Sequence, residues 1–273
     1  MAHLVPIDDP EDPRLADYLQ VRERDLVGRG GAFIAEGQVV IEKLIRAGRH
    51  PLRSVLVAEK RVAGLTGLFA GLPDDIPVYA AGQAVMDAVV GFPIHRGLLA
   101  AGARAEPPAD ALLADLAARA LVVGLVGIAN HDNIGGLFRN AAAFGADAVL
   151  LDDACCDPLY RKAIRVSVGA ALTTPFARAG SAVELVDRLL AAGFEIVALS
   201  PSGAIDLADL KPSPRTAVLF GAEGPGLPCE ILERVRSVAI PMAGGFDSLN
   251  VATTSGIVLH HLVAAGRAAA GGG

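Results

Sequence analysis

The feature that most constrains the fold is an unbroken apolar run at residues 121–128. A strand with one face in water alternates apolar and polar residues, whereas a strand buried on both faces is apolar throughout. Helical patterns then alternate with further strand-like segments, at residues 148–151, 195–199, 216–220 and 238–240. This alternation predicts an α/β domain built on a parallel sheet.

Three of these strands run into polar, glycine-containing turns that are followed by helical patterns. The turn after residues 121–128 contains Asn130 and Asn133. The turn after residues 216–220 contains Gly221, Glu223 and Gly226, and the turn after residues 238–240 contains Ser248 and Asn250. Glycine lets the backbone approach a ligand closely, and the N–H groups at a helix start are free to bind one. Because open parallel sheets bind ligands at the carboxyl ends of their strands, we expect the three turns to converge on one site.

As a set, the three turns match three signature motifs. The first reads Asn-x-Gly-x-x-x-Arg-Asn at Asn133, Gly135, Arg139 and Asn140. The second reads Gly-x-Glu-x-x-Gly-Leu at residues 221–227, and the third reads Ile-Pro-Met at 240–242 with Ser-Leu-Asn-Val at 248–251. In order and spacing, the region from residue 121 onward resembles the SpoU/TrmH family of RNA ribose 2′-O-methyltransferases, within the SPOUT superfamily.

The resemblance implies a fold of two parts. A C-terminal parallel-sheet SPOUT domain with a deep trefoil knot would occupy residues 116–273, preceded by a small α/β substrate-binding domain at residues 1–101. Residues 14–101 do alternate helix-like and strand-like patterns, as such a domain requires. Residues 102–115 are interpreted as the linker, since small residues and a Pro-Pro pair resist both helix and sheet.

The resemblance also implies S-adenosyl-L-methionine as cofactor, held in a bent form by loops at residues 199–201, 220–226 and 240–250. The positions carried over as cofactor contacts are Leu199, Ser200, Gly221, Gly226, Ile240, Met242 and Leu249. Main chain at strand ends suits this role, because an adenine needs apolar contact together with backbone donors and acceptors.

The residues carried over as catalytic are Arg139, Asn133, Glu223, Ser248 and Asn250. The implied reaction moves an activated methyl group, so the protein must mainly orient the reactants and help remove a proton. A guanidinium stays protonated, which makes Arg139 a fork for a phosphate and a developing oxyanion rather than a base. We expect Glu223 to accept backbone N–H bonds within its loop, and Ser248 and Asn250 to orient the pocket.

A net charge of −6 argues against a broad nucleic-acid-binding surface. The expected RNA partner, an rRNA or tRNA, would then be held by local basic groups. The candidates are Arg22, Arg24, Arg29, Arg96, Arg161 and Arg165. Solvated faces with scattered ion pairs are the alternative interpretation of these groups, and His95 is either a phosphate contact or a capped loop residue.

Other features bound the setting of the protein. The three cysteines have neither disulfide nor zinc-ligand spacing, so we expect reduced, mostly packed thiols and no metal. No apolar run reaches the ~18 residues of a membrane span, and the N-terminus lacks a signal-peptide pattern, which predicts a cytoplasmic protein. The resemblance implies a homodimer through the knot region, and the apolar helix at residues 256–265 is the expected interface. The Gly- and Ala-rich tail after this helix is expected to be disordered.

The residues leave alternatives to a methyltransferase. A non-catalytic RNA-binding or assembly factor on the same scaffold would have no reason to keep Arg139, Glu223 and Asn250 together. A different α/β enzyme that binds a nucleotide phosphate is disfavoured, because no Gly-Lys-Ser/Thr loop is present. One position departs from the family pattern: Ala252 stands where a second serine is common, so Thr253 or Thr254 would have to replace its contact.

Overall fold

The computed structural model describes residues 3–19, 31–91, 97–244 and 248–271, with side chains of the last helix as far as Arg267. The chain forms two compact units. The first unit comprises Met1–Ala105 and Leu159–Thr173, and the second comprises Glu106–Pro158 and Thr174–Gly273. Each unit has a sheet of its own.

The first part of the chain folds into the mixed sheet of the first unit. Its elements are β1 (His3–Ile7), β2 (Ala32–Glu36), α1 (Gln38–Ala47), β3 (Leu52–Ala58), α2 (Thr66–Ala70), β4 (Pro77–Ala81), α3 (Gln83–Val90) and β5 (Leu98–Ala103). The strand order is β1-β4-β3-β5-β2, with β5 antiparallel to both of its neighbours. Helix α1 ends at Gly48, whose left-handed φ of 59° lets its N–H bond back to Leu44.

The rest of the chain builds the second unit, except for two short helices. The elements in chain order are α4 (Ala109–Ala114), β6 (Ala120–Leu125), α5 (His131–Ala143), β7 (Ala148–Leu151), α6 (Arg161–Val166), α7 (Ala170–Thr173), β8 (Phe176–Arg178), α8 (Ala182–Ala191), β9 (Glu195–Leu199), β10 (Ile205–Asp206), β11 (Arg215–Phe220), α9 (Cys229–Leu232), β12 (Arg236–Ala239) and α10 (Val251–Gly271). Helices α6 and α7 belong to the first unit.

The sheet of the second unit is parallel and has the order β10-β12-β9-β11-β6-β7-β8. Strands β7 and β8 lie on one side of β6, and the later strands β9 to β12 lie on the other side. The last paired residues of β6, β7 and β11 are in register, since Leu125 pairs with both Leu151 and Phe220. The loops after these strands therefore leave from one edge, beside the switch in strand order where such sheets bind ligands.

The core explains why β6 reads as a continuous apolar run. Val122, Val123 and Leu125 are fully buried, and they pair with buried strands on both sides. Gly124 has no side chain because a Cβ there would lie 2.3 Å from Leu219 Cδ2. The predicted α/β class with a parallel sheet is confirmed, and the trefoil knot stays a prediction.

The structure corrects several sequence-based boundaries. The predicted linker at 102–115 is shorter, because β5 continues to Ala103 and α4 occupies Ala109–Ala114. Leu112 and Leu113 are buried, and this burial with good helix-forming residues outweighs the neighbouring prolines. The tail expected to be disordered after residue 265 continues α10 to Gly271, since alanine has the highest helix propensity.

The two units are not consecutive segments of the chain, as the sequence-based boundaries assume. The chain returns to the first unit at Leu159–Thr173, a segment that the sequence-based boundaries place in the C-terminal domain. Within the first unit, Lys43 Nζ donates to Val168 O at 2.7 Å. The same segment contains Val168 at a φ of 53°, a left-handed conformation that a β-branched residue adopts only under strain. The functions proposed for the two domains stay predictions.

No helix in the described part of the chain is long and apolar enough to cross a membrane. The cytoplasmic location stays a prediction. The thiols are free and mostly packed, as expected: Cys155 is buried and Cys156 half-buried, whereas Cys229 is exposed at the start of α9.

Packing around Gly124 makes a testable prediction. Gly124→Ala should destabilise the second unit by about 1–3 kcal/mol, because the added methyl overpacks a filled core. Gly266→Ala is the matched control, since a Cβ there meets only Arg119 Nη2 at 3.9 Å and alanine favours the helix. Calorimetric unfolding of both variants should show a lower Tm for Gly124→Ala alone. Equal transition temperatures would show that the core around Leu219 is looser than described.

Candidate active site

The candidate site is built from three segments at the carboxyl edge of the second unit's sheet. They are the start of α5 after β6, the loop after β11, and the segment that leads from β12 into α10. Each segment supplies one polar side chain to a common network, formed by Asn133, Glu223 and Asn250. The predicted convergence of the three turns is therefore seen in the structure.

Asn250 is the centre of the network. Its Nδ2 donates to Asn133 Oδ1 at 2.9 Å and to Glu223 Oε1 at 3.0 Å. Its Oδ1 accepts from the backbone N–H of Ala252 at 2.9 Å and of Thr253 at 3.3 Å. One amide thus joins all three segments and uses both of its donor hydrogens to do so.

Local sequence explains the position of Asn250. The residue immediately precedes α10. Its backbone carbonyl oxygen accepts from Thr254 N at 2.9 Å, which is the first hydrogen bond of the helix. Asparagine is favoured at this capping position because its side-chain oxygen satisfies N–H groups of the first turn. Capping therefore fixes the oxygen, which leaves the NH₂ group pointing at the other two segments.

The partners of Asn250 differ in environment. Asn133 lies in the first turn of α5 and is buried, whereas Glu223 is exposed in its loop. Glu223 was expected to accept backbone N–H bonds within its loop, but among the described residues its hydrogen-bond partner is the side-chain amide of Asn250. A carboxylate hydrogen-bonded to an amide from another segment holds two loops together, whereas bonds to its own loop would hold only one.

A second contact ties α5 to α10. Asn140 Nδ2 donates to Ala252 O at 2.6 Å and to Ser255 Oγ at 2.9 Å. The helices are close here, because a Cβ on Gly136 would lie 2.6 Å from the Cβ of Ala252. Ala252 therefore packs against α5. The small residue at this departure from the family pattern fits a helix contact that has little spare room.

Arg139 stands apart from this network. Its side chain is exposed on α5, and no residue that the structure describes forms a hydrogen bond or ion pair with it. A guanidinium carries five N–H donors in a planar fork. None of these donors is used on the described residues, in contrast to the side-chain donors of Asn140 and Asn250.

The loop after β11 requires glycine at its first position. A Cβ on Gly221 would lie 2.4 Å from the carbonyl carbon of Gly226 and 2.5 Å from the backbone nitrogen of Leu227. The loop closes with a bond from Gly226 N to Ala222 O at 3.0 Å. Gly224 and Gly226 both have a positive φ, of 87° and 69°. The result is a tight backbone turn with no side chain between its two arms.

The loop after β9 is attached to β12. Ser200 N donates to Val238 O, and Gly203 N donates to Ser200 O, both at 3.0 Å. A Cβ on Gly203 would lie 2.2 Å from the carbonyl carbon of Val238. The two segments predicted to contact a cofactor here thus approach each other through backbone.

The structure places the remaining predicted site residues as follows. Among the expected cofactor contacts, Leu199, Ser200, Gly221, Ile240 and Met242 are half-buried, and Gly226 and Leu249 are exposed. Ser248 is exposed in the segment just before α10. None of these positions is tested as a contact by the structure, so they stay predictions.

The predicted RNA contacts do not form one group. Arg22, Arg24, Arg29, His95 and Arg96 lie outside the described residues. Arg161 forms an ion pair with Glu36 inside the first unit, with Nη2 to Oε2 at 2.7 Å and side-chain exposures of 20% and 11%. Arg165 is exposed on α6 in the same unit.

Sequence reasoning missed several residues beside the site. Asp152 is buried just after β7, and its carboxylate binds the loop between β6 and α5. Its place at the end of a predicted strand was an available signal, because that end lies on the same sheet edge. Ser255, one helical turn into α10, had no such signal. Within the described residues, no group of three or more histidine, cysteine or carboxylate side chains is placed to hold a metal ion.

Comparison with known proteins identifies relatives of this arrangement. Residues 120–260 match the model of the SpoU rRNA Methylase family. Over 270 residues the chain is 38% identical to an uncharacterized tRNA/rRNA methyltransferase of Mycobacterium tuberculosis, covering 94% of this chain and 91% of the relative. The match includes all three segments of the site.

Solved structures share the whole fold. An AdoMet-bound rRNA methyltransferase from Sinorhizobium meliloti has a TM-score of 0.80 at 22% identity, covering 94% of this chain and 97% of the other. An RNA 2′-O ribose methyltransferase has a TM-score of 0.76 at 25% identity, covering 96% and 100%. The likeness therefore extends over both units.

The network makes a prediction for Asn250. Asn250→Ala should lower the Tm for two reasons. Loss of the cap of α10 costs about 1 kcal/mol of stability, and Asn133 loses its hydrogen-bond partner. Asn250→Asp keeps the capping oxygen but sets a second carboxylate beside Glu223. This repulsion raises the pKa of the pair in the folded state, so the penalty is relieved at low pH and grows as pH rises.

Calorimetric unfolding of both variants and the wild type at pH 5 and pH 8 tests this. The deficit of Asn250→Asp relative to the wild type should be larger at pH 8, while that of Asn250→Ala should change little. An Asn250→Asp protein as stable as the wild type at both values would contradict the network.

Proposed function

The chain belongs to the SpoU rRNA methylase family of RNA methyltransferases, and we propose that it transfers a methyl group from S-adenosyl-L-methionine to a ribose 2′-hydroxyl of rRNA or tRNA. The observation that carries the proposal is the Asn250 network, which joins Asn133 and Glu223, together with an exposed Arg139 on the same helix as Asn133. The 2′-hydroxyl as acceptor is supported by the related RNA 2′-O ribose methyltransferase.

The backbone around Gly221 fits a cofactor of this kind. The loop after β11 has no room for a Cβ at Gly221, and the half-buried apolar side chains of Leu199, Ile240 and Met242 lie on the neighbouring segments. Apolar contact with backbone donors and acceptors is what an adenosyl group needs. Related structures from Sinorhizobium meliloti and Streptomyces viridochromogenes contain AdoMet. When bound, the cofactor supplies a methyl group on an activated sulfonium.

Arg139 is the residue that we propose to act on the RNA. Its guanidinium stays protonated and has no partner among the described residues, so it can donate two parallel bonds to a phosphate. The same charge stabilises the 2′-oxygen as its proton leaves. Arg139 is not the base that accepts this proton, because its guanidinium stays protonated.

Asn133, Glu223 and Asn250 have a different role in this proposal. Both donor hydrogens of Asn250 are used within the protein, and one of them is accepted by Asn133 Oδ1. These residues therefore hold the α5, β11 and α10 segments at fixed spacing. Fixed spacing matters because a misplacement of about 1 Å can cost about 100-fold in rate.

A second copy of the chain is the proposed partner at the start of α10. Leu249 and Ile257 are large apolar side chains that remain 42% and 40% exposed. Both lie in the region where the family resemblance implies a dimer interface. A homodimer would remove this apolar surface from water.

Arg139→Ala should separate binding from chemistry. S-adenosyl-L-methionine should bind the variant and the wild type with similar affinity in calorimetric titration. Transfer of labelled methyl to bulk rRNA and tRNA should fall about 100-fold or more, as for loss of a donor to a developing oxyanion. Arg139→Lys keeps the charge without the fork and should recover only part of the rate.

Arg234→Ala is the matched control, since this exposed arginine pairs with Asp187 on α8. It should behave as the wild type in both assays. A wild type that binds no S-adenosyl-L-methionine would overturn the proposed function. An Arg139→Ala protein with full transfer would overturn the role of Arg139 alone.

Arg165 tests the RNA surface of the first unit. If Arg165 contacts a phosphate, Arg165→Ala should weaken binding of bulk rRNA fragments and flatten the plot of log affinity against log salt by ~0.7–0.9. Arg161→Ala should instead lower the Tm, because Glu36 loses its ion-pair partner. An unchanged salt slope for Arg165→Ala would exclude the phosphate contact.

A further inference from the structure

The loop at residues 126–130, which leads from β6 into α5, is shaped by a buried carboxylate outside the three motif segments. Asp152, only 4% exposed, accepts from Gly127 N at 3.0 Å through Oδ1 and at 3.1 Å through Oδ2. Its Oδ1 also accepts from Cys155 N at 2.9 Å. Gly127 has a φ of 67°, so this turn needs both a glycine and an acceptor for its N–H.

The segment after β7 continues this contact along the loop. Cys155 Sγ accepts from Ile128 N and donates to Leu125 O, both at 3.3 Å. Cys156 N donates to Ile128 O at 2.9 Å. Burial raises the pKa of the Cys155 thiol, which keeps the S–H available as a donor. The backbone from Leu125 to Ile128 is thus held by one short segment.

That segment is in turn held by Arg178 at the end of β8. Its Nη1 donates to Asp152 O at 2.9 Å and to Cys155 O at 3.2 Å, and its Nη2 also reaches Cys155 O at 3.2 Å. The backbone N–H of Arg178 donates to Glu106 Oε1 at 2.6 Å. The guanidinium serves as a brace for carbonyl groups rather than as a surface charge.

A buried carboxylate is costly unless its oxygens are bonded, and a turn that only connects two elements does not need one. This turn ends at Asn130, whose Oδ1 caps α5 by accepting from Asp132 N at 2.8 Å. Asn133 follows in the first turn of α5 and binds Asn250 at 2.9 Å. The position of the loop therefore sets where α5 begins, and hence where Asn133 and Arg139 lie.

We infer that Asp152 is a positioning residue for methyl transfer, fixing the loop at residues 126–130 so that α5 presents Asn133 and Arg139 in register with α10. The inference rests on the proposed function. Asp152 has no hydrogen bond to the described residues of the loops after β9, β11 and β12. Losing its carboxylate should therefore lower turnover while leaving cofactor affinity nearly unchanged.

Asp152→Asn is the direct test. The amide keeps the size of the side chain but turns an NH₂ donor toward one of the N–H groups that the carboxylate accepts. We expect kcat for methyl transfer to bulk rRNA to fall about 10- to 100-fold, with the calorimetric Kd for S-adenosyl-L-methionine within about twofold of wild type. Amide hydrogen exchange in residues 126–130 should become faster.

Asp153→Asn is the matched control, because this neighbouring carboxylate is exposed and should leave all three readouts unchanged. Asp152→Asn with wild-type exchange and turnover would overturn the inference. So would a parallel loss of Tm, cofactor affinity and turnover, since that pattern marks a general structural role. If Asp152→Asn does not fold, Cys155→Ala decides, because it removes only the two sulfur bonds and should still lower kcat severalfold with Kd unchanged.

Failure of the proposed function would be seen differently. A wild type with no cofactor binding and no transfer would reject the methyltransferase assignment itself. Hydrogen exchange in Asp152→Asn and Asp153→Asn would then still show whether the carboxylate holds the loop. Slow exchange in both variants would reject that part as well.

Discussion

The site depends on one side-chain amide. Asn250 caps α10 with its oxygen and binds α5 and the β11 loop with its nitrogen. Three segments that are far apart in the chain meet only because parallel strands end at one edge, and they stay in register only if something short and directional joins them. A hydrogen-bonded amide does this without adding a charge, whereas an ionic link at the same place would add desolvation costs.

The polar residues of the site divide into two groups by how their donors are used. Asn140 and Asn250 use their donors within the protein, and Asn133 Oδ1 accepts from Asn250. Arg139 uses none of its donors on described residues. In a chain with a net charge of −6, an exposed guanidinium that has no partner among the described residues is suited to attract a phosphate locally without a broad basic surface.

The sequence predicted the structure best where one strong physical effect, such as burial, decides the local conformation. Residues 121–128 read as a doubly buried strand, and the structure buries β6 on both sides. The convergence of Asn133, Glu223 and Asn250 followed from the family motifs and from strand ends sharing an edge. Hydrogen-bond partners were harder to predict from the sequence. Glu223 binds Asn250 rather than its own loop, because residues distant in the chain decide where an exposed carboxylate bonds. Helix α4 and the end of α10 were missed because prolines and glycines nearby outweighed the alanines and leucines in the local pattern.

The close contact of α5 and α10 explains why Ala252 is compatible with the site. Gly136 leaves room for the Ala252 methyl and little more, since a Cβ on Gly136 would lie 2.6 Å from it. The carbonyl of Ala252 already accepts from Asn140 and from Ser255 Oγ. A hydroxyl at position 252 would add a polar group to a contact whose hydrogen bonds are already formed. The close approach keeps α5, and with it Arg139, fixed against the same helix that Asn250 caps.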